Sequence, residues 1–197
     1  MVEKLLIPRE EYLASGIHIG MKQRTADMKP YIYKIRSDGL AVLNLGMIDE
    51  KIKTAGKFLA KSKSILAVTR KSVSQDVVKK FAEAIGAKAI TGRFLPGTLT
   101  NPKFKNYFEA DVIVISDPLV DYQALKEAVT ARTAVIAICD TLNETRHIDL
   151  IIPANNKSRK SLGTLYYLLA REVLKERGEI KSNSEFKFKL QDFVGSE

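Results

Sequence analysis

Cysteine is nearly absent from this chain of 197 residues, and tryptophan is wholly absent. The one thiol, Cys139, permits no intrachain disulfide, which fits a reducing compartment. It lies in the apolar run Ala134-Val135-Ile136-Ala137-Ile138-Cys139, so a buried structural thiol is expected there rather than a nucleophile. His18 and His147 are the only histidines, and neither has a cysteine pair near it. A closed zinc site is therefore not expected, nor any other metal. No apolar run approaches the ~18–20 residues that span a bilayer. The opening Met-Val-Glu-Lys-Leu-Leu-Ile-Pro has too short an apolar stretch for a signal peptide. A cytoplasmic protein with no membrane partner is expected.

Enzyme signatures are missing too. No G-x-S-x-G and no G-x-G-x-x-G occurs. The closest phosphate-loop candidate is Gly92-Arg93-Phe94-Leu95-Pro96-Gly97, with two glycines at Walker spacing. A true P-loop then needs Lys followed by Ser or Thr, and this chain continues with Thr98-Leu99. Pro96 also removes an N–H that a phosphate cradle would use. No cofactor, small-molecule substrate or catalysis is expected.

What is present is core material and positive charge. Hydrophobic residues make up 45 %, so disorder of the whole chain is excluded. Against 23 Asp+Glu stand 32 Lys+Arg, a net charge of +9, which favours a polyanionic partner. Pro8 precedes Arg-Glu-Glu-Tyr-Leu-Ala, a helix start with acids in its first turn and Gly16 as its stop. Residues 16–30 lack a period and are expected to be a mobile loop with little apolar material to dock. Tyr31 to Ile35 and Leu40 to Leu45, joined by Arg36-Ser37-Asp38-Gly39, predict a β-hairpin.

From there strand and helix alternate. A helix is expected to open at Asp49, with Ile52, Ala55, Phe58 and Leu59 inward. Ile65 to Val68 reads as a strand covered on both faces. Ser72-Val73-Ser74-Gln75 suggests a capping box for a helix ending at Gly86. Lys88 to Ile90 suggests an edge strand, and Val112 to Ile115 a strong one. Asp121 to Arg132 reads as a helix with Leu125, Ala128 and Val129 inward. Ala134 to Cys139 and Ile148 to Ile152 are strands. Residues 158–177 form the longest helix, with Leu162, Leu165, Leu168, Leu169 and Val173 as its stripe. This alternation implies an α/β fold of three αβα layers, a doubly wound and mostly parallel sheet of five or six strands, preceded by a helix and a hairpin. The expected divisions are 1–39 packed on the main domain, 40–178 as the α/β domain, and 179–197 as a mobile tail that Phe186, Phe188 and Phe193 would order if they dock.

Ligands of a doubly wound sheet gather beyond the carboxyl ends of its strands. Asp117 and Asp140 end two strands there and could pair for metal or acid–base work, which keeps a nucleotide-dependent enzyme as the alternative reading. The simpler reading is that each starts a turn or caps a helix. Three basic clusters remain: Lys22, Arg24, Lys29, Lys34 and Arg36, with Tyr31 and Tyr33 interleaved; Arg70, Lys71 and Arg93; and Lys157, Arg159 and Lys160 at a helix N-terminus. Short basic loops grip phosphate backbones, and tyrosines stack on splayed bases. RNA binding through these residues is the expectation.

Several motifs, in order, carry a family resemblance: Gly92-Arg93-Phe94-Leu95-Pro96-Gly97-Thr98-Leu99-Thr100-Asn101; Asp117-Pro118 with Asp121-Tyr122-Gln123-Ala124 and Glu127-Ala128; Ile152-Pro153-Ala154-Asn155-Asn156-Lys157-Ser158; and Leu169-Ala170-Arg171-Glu172-Val173-Leu174. From about Leu13 to Gly178 the chain resembles the small-subunit ribosomal protein two family, whose eukaryotic member is also called the laminin receptor precursor. The resemblance implies a flavodoxin-like domain between head and body of the small subunit. It also implies ribosomal RNA and neighbouring ribosomal proteins as partners. The helical hairpin of the bacterial branch and the acidic extension of the eukaryotic branch have no counterpart, so the chain looks archaeal in type.

Overall fold

A computed structural model describes residues 5–194. Helix α1 spans Arg9–Ser15 and stops at Gly16, whose φ of 68° is the left-handed conformation that glycine adopts without steric cost. The hairpin follows, β1 Ile32–Ile35 antiparallel to β2 Ala41–Leu43. Helix α2, Leu45–Lys61, opens four residues before the expected Asp49, because the Asn44 side chain accepts from the Gly46 N–H and caps it. Its buried face is Ile48, Ile52, Ala55 and Leu59, spaced at helical period, and Phe58 falls outside that face and is exposed.

The main sheet comprises β3 Ile65–Thr69, β4 Lys88–Thr91, β5 Val112–Ile115, β6 Ala134–Cys139 and β7 Leu150–Pro153. All neighbours are parallel, in the order β4-β3-β5-β6-β7. That is the flavodoxin-like winding, with its switch point between β3 and β5 and with the weak strand β4 at an edge. Strands β3 and β5 are buried along their whole length, as continuous apolar runs require. Side chains alternate between two cores. Ile65, Ala67, Val112, Val114, Ile136 and Ile138 meet α2, α3 (Ser72–Ile85) and α5 (Arg159–Glu176). Leu66, Val68, Ile113, Ile115, Val135 and Ala137 meet α4 (Tyr122–Ala131) together with Phe94, Leu99 and Met28. One face therefore has three helices, and the other has a single helix plus irregular chain.

Two expected details of these helices fail for geometric reasons. The Ser72–Gln75 capping box does not form: Lys71 occupies the cap position without a side-chain cap, and Gln75 donates to the Arg70 carbonyl. On α4 the inward positions are Ala124, Leu125, Glu127 and Ala128, leaving Val129 exposed.

Loop 16–30, and the expected tail as far as Val194, are packed on the domain, while 195–197 of that tail lie outside the described residues. In loop 16–30, Ile17 and Met28 are fully buried. The Thr25 N–H donates to the Thr141 carbonyl, and the Met21 N–H donates to the Thr141 hydroxyl, each at 2.9 Å. After Gly178, Phe186 and Phe193 pack edge-on to Tyr167, and α6 (Leu190–Val194) lies on α5. Gly163 allows that approach, since a Cβ there would come within 3.1 Å of the Val194 Cα.

Candidate nucleic-acid interface

The carboxyl edge of the sheet brings together much of what the sequence marks, but the crevice at the switch point is filled from within. Asp117, at the end of β5, has no exposed surface. Its Oδ2 accepts from the Lys71 and Lys157 ammonium groups, the latter at 3.2 Å. Its Oδ1 accepts from Asn143 Nδ2 at 2.9 Å and from the Leu119 N–H at 3.0 Å. Burial is the strongest single influence and would raise this carboxyl, but Lys71, Lys157 and Asn143 together outweigh it and hold it below the usual carboxylate range. Lys71 also donates to the Asn156 carbonyl at 3.0 Å. Two cations expected to face phosphate thus have a partner inside the protein. Lys71 is nearly covered, whereas Lys157 keeps 37 % of its side chain in water.

The other carboxylates of this edge are structural in the same way. Asp121 accepts from the Arg70 N–H at 2.7 Å through one oxygen, and its Oδ2 has no hydrogen-bond partner among the described residues. Burial pushes its carboxyl up to about 7. Asp140 accepts from the Thr141 N–H, its Oδ2 is likewise unpartnered among the described residues, and burial raises it as well. Each of Asp117 and Asp140 starts a turn, as the simpler reading expected, with the Leu119 N–H on Asp117 Oδ1 and the Asn143 N–H on the Asp140 carbonyl, and the two also share a buried web. Asn143 bridges them, donating to Asp117 while accepting from the Asp140 N–H at 2.8 Å. Asn156 closes the web by donating to Asn143 Oδ1 at 3.1 Å. Loop 16–30 lies over this edge, with Gly20 so close that a Cβ would meet Thr141 Cγ2 at 2.5 Å.

The incomplete Walker turn has its own internal anion. Gly97, at φ 91°, and Leu99 donate their N–H groups to the two oxygens of Glu127, at 2.8 and 3.1 Å. Backbone N–H groups that converge in this way attract anions. Here a buried carboxylate from α4 takes the place a phosphate would hold, steadied by Gln123 Nε2 at 2.9 Å. Sequence reasoning assigned no role to Glu127, Asn143 or Asn156. For Glu127 a signal existed: it is an acid on the apolar face of α4.

The remaining cations are on the surface. Arg70 and Arg93 are exposed at the ends of β3 and β4. Lys22, Arg24, Lys29 and Lys34 are exposed along the loop and hairpin. Arg36 pairs with Asp38 at 3.2 Å, and Arg159 with Asp76 at 3.3 Å, both pairs largely in water. Lys160 is exposed in the first turn of α5. Among the described residues no cluster of His, Cys, Asp or Glu could hold a metal, and no helix is long and apolar enough to cross a membrane.

The family model described as "Ribosomal protein S2" matches residues 12–110 and 106–176. "Small ribosomal subunit protein uS2" of Thermoplasma acidophilum is 53% identical over 195 residues, 98% of each chain. The proteins of the same description from Picrophilus torridus and Thermoplasma volcanium are each 52% identical over 195 residues, again 98% of each chain.

Proposed function

The chain belongs to the ribosomal protein S2 family, in its archaeal type, and from that premise we propose that it binds ribosomal RNA as a structural constituent of the small ribosomal subunit. The observation that carries this is the identity, over nearly the full length of both chains, with relatives described as small-subunit proteins. Its partners are ribosomal RNA and other ribosomal proteins, and its place is the cytoplasmic ribosome. Nothing favours a nucleotide enzyme: the crevice such an enzyme uses holds Lys71 against Asp117, and the glycine turn holds Glu127.

The proposed phosphate contacts are the exposed cations. Lys22, Arg24 and Lys29 flank one side of the carboxyl edge, Arg70 and Arg93 the ends of β3 and β4, and Arg159 and Lys160 the start of α5. Lys34 and Arg36 serve the hairpin. Lys157 shares its charge between Asp117 and the surface, and Lys71 positions the edge rather than facing outward. Such binding works by release of counterions from the phosphates, so its strength falls with salt. The test is binding of the whole chain to its small-subunit ribosomal RNA across a salt series. Replacing Arg70 and Arg93 together with alanine should flatten the log–log salt slope by roughly 1.4–1.8 units if each neutralises one phosphate. A double variant with the wild-type slope and affinity would remove those two residues from the interface.

A further inference from the structure

The geometry points to a site for an unpaired, single-stranded ribonucleotide in the groove between α1, the hairpin and the first turn of α2, a proposal that rests on the RNA-binding reading above. The groove has a volume of about 670 Å³ and is lined by Arg9, Leu13, His18, Tyr33, Lys34 and Arg36, among others. Sequence reading grouped three of these, Tyr33, Lys34 and Arg36, in one basic cluster with interleaved tyrosines. Folding adds Arg9, Leu13 and His18 from α1 and the residues after it.

Charge and shape select the ligand. Arg9, Lys34 and Arg36 bring three cations to one groove, and among the described residues no acidic side chain lines it. Asp38 holds Arg36 in an exposed pair of the kind that contributes little and that a phosphate can displace. Burial holds His18 below its usual value, so it adds an uncharged polar wall at neutral pH. Tyr33 stands 69 % exposed and Leu13 44 % exposed, an aromatic face and an apolar side chain left in water on the lining of the same groove. A base stacked on Tyr33, with its phosphates on Arg9 and Lys34, uses both features at once. Base-on-aromatic stacking needs a base out of its helix, since paired bases show side chains only their edges. The volume lies in the range of sites that enclose a small ligand, enough for a nucleotide and too little for a duplex.

The experiment compares two labelled RNAs by fluorescence anisotropy on the whole chain: an unstructured strand of about twelve nucleotides, within the usual single-strand site size, and a hairpin duplex of similar charge. Tyr33→Ala should weaken the single strand roughly 5- to 100-fold, the range that loss of one stacked base gives. It should leave the duplex unchanged, and Tyr33→Phe should restore single-strand binding. Arg9→Ala should weaken the single strand and flatten its salt slope by about 0.7 unit. Tyr33 and Arg9 are not core residues, so thermal unfolding of the variants should match wild type. Unchanged single-strand binding in Tyr33→Ala would overturn the proposal. So would equal losses on strand and duplex, or displacement of neither RNA by free strand but of both by an acidic peptide. If Arg70→Ala with Arg93→Ala weakens binding to small-subunit ribosomal RNA while Tyr33→Ala changes nothing, the groove site falls and the ribosomal reading stands.

Discussion

Lys71, at the carboxyl edge of the sheet, has its ammonium on a carboxylate with no exposed surface, whereas Lys34 and Arg36, on the hairpin, stand in water around an open groove. The two regions share a composition and differ in what surrounds it. At the edge, two parallel strands and a crossing loop exclude water, so each charge must find a partner in the protein or be neutralised, a carboxylate by taking up a proton. At the hairpin, two short strands cover nothing on their outer side, so cations keep their hydration and remain available to a polyanion. In a doubly wound sheet the edge is where ligands usually gather. Here that place is closed by the protein's own acids, and the binding capacity lies with the surface that the topology leaves open.

The largest test of this contrast removes the buried carboxylate. Asp117→Ala leaves Lys71 and Lys157 facing each other and strips Asn143 of an acceptor. Breaking a buried pair in this way costs about 3–5 kcal/mol, read as a lower denaturant midpoint at unchanged m-value. A loss below about 1 kcal/mol would mean that the edge is as well hydrated as the hairpin.

The next test uses pH. Asp121 titrates near 7 in the fold and near 3.8 when unfolded. The folded state therefore binds the extra proton, and the stability this group contributes is full below about pH 4 and lost as pH rises through 7. Asp121→Asn retains an acceptor for the Arg70 N–H and cannot ionise. Its margin over wild type should grow between pH 4 and pH 8 by an amount on the order of a few kcal/mol. Asp140 shifts in the same direction but is present in both proteins, so it cancels in the difference. A margin independent of pH would show that Asp121 is hydrated.

Smaller again is the effect of prising the loop from the edge. Gly20→Ala places a methyl group against Thr141 and should cost about 1–3 kcal/mol, the usual range for overpacking. Hydrogen exchange should show the Met21 and Thr25 amides protected in wild type and exchanging early in the variant. The smallest effect belongs to the hairpin: Asp38→Ala should change stability by less than about 1 kcal/mol, because both partners of its ion pair are half in water.

Much of this architecture is local and therefore legible in the sequence. Ile65 to Val68 and Val112 to Ile115 are short unbroken apolar runs, as a strand between two layers requires, and the hairpin follows from its Asp-Gly turn. Misreadings arose where a local pattern was ambiguous. Leu45-Gly46-Met47-Ile48 extends an apolar strand on paper, and only the Asn44 cap marks the helix. Phe58 and Val129 looked inward by hydrophobicity, although their angular positions on α2 and α4 point them outward. The docking of loop 16–30 depends on Thr141, 120 residues from Met21, and nothing near Ile17 or Met28 announces it. The candidate site was readable as a set of cations and not as a division among them. That Lys71 turns inward follows only from the adjacency of β3 and β5, which sets Asp117 beside it.

The single thiol offers a use for the molecule's quiet interior. Cys139 closes β6 with no exposed surface, and burial raises its pKa, with Asp117 and Asp140 adding to the effect. A maleimide or iodoacetamide meets neither an accessible sulfur nor a thiolate while the sheet is intact. Alkylation then proceeds only through molecules whose central strands have come apart, and its rate becomes a clock for that event. The natural chain thus carries its own reporter of opening, needing no engineered label, and an assembly that clamps the sheet would stop the clock.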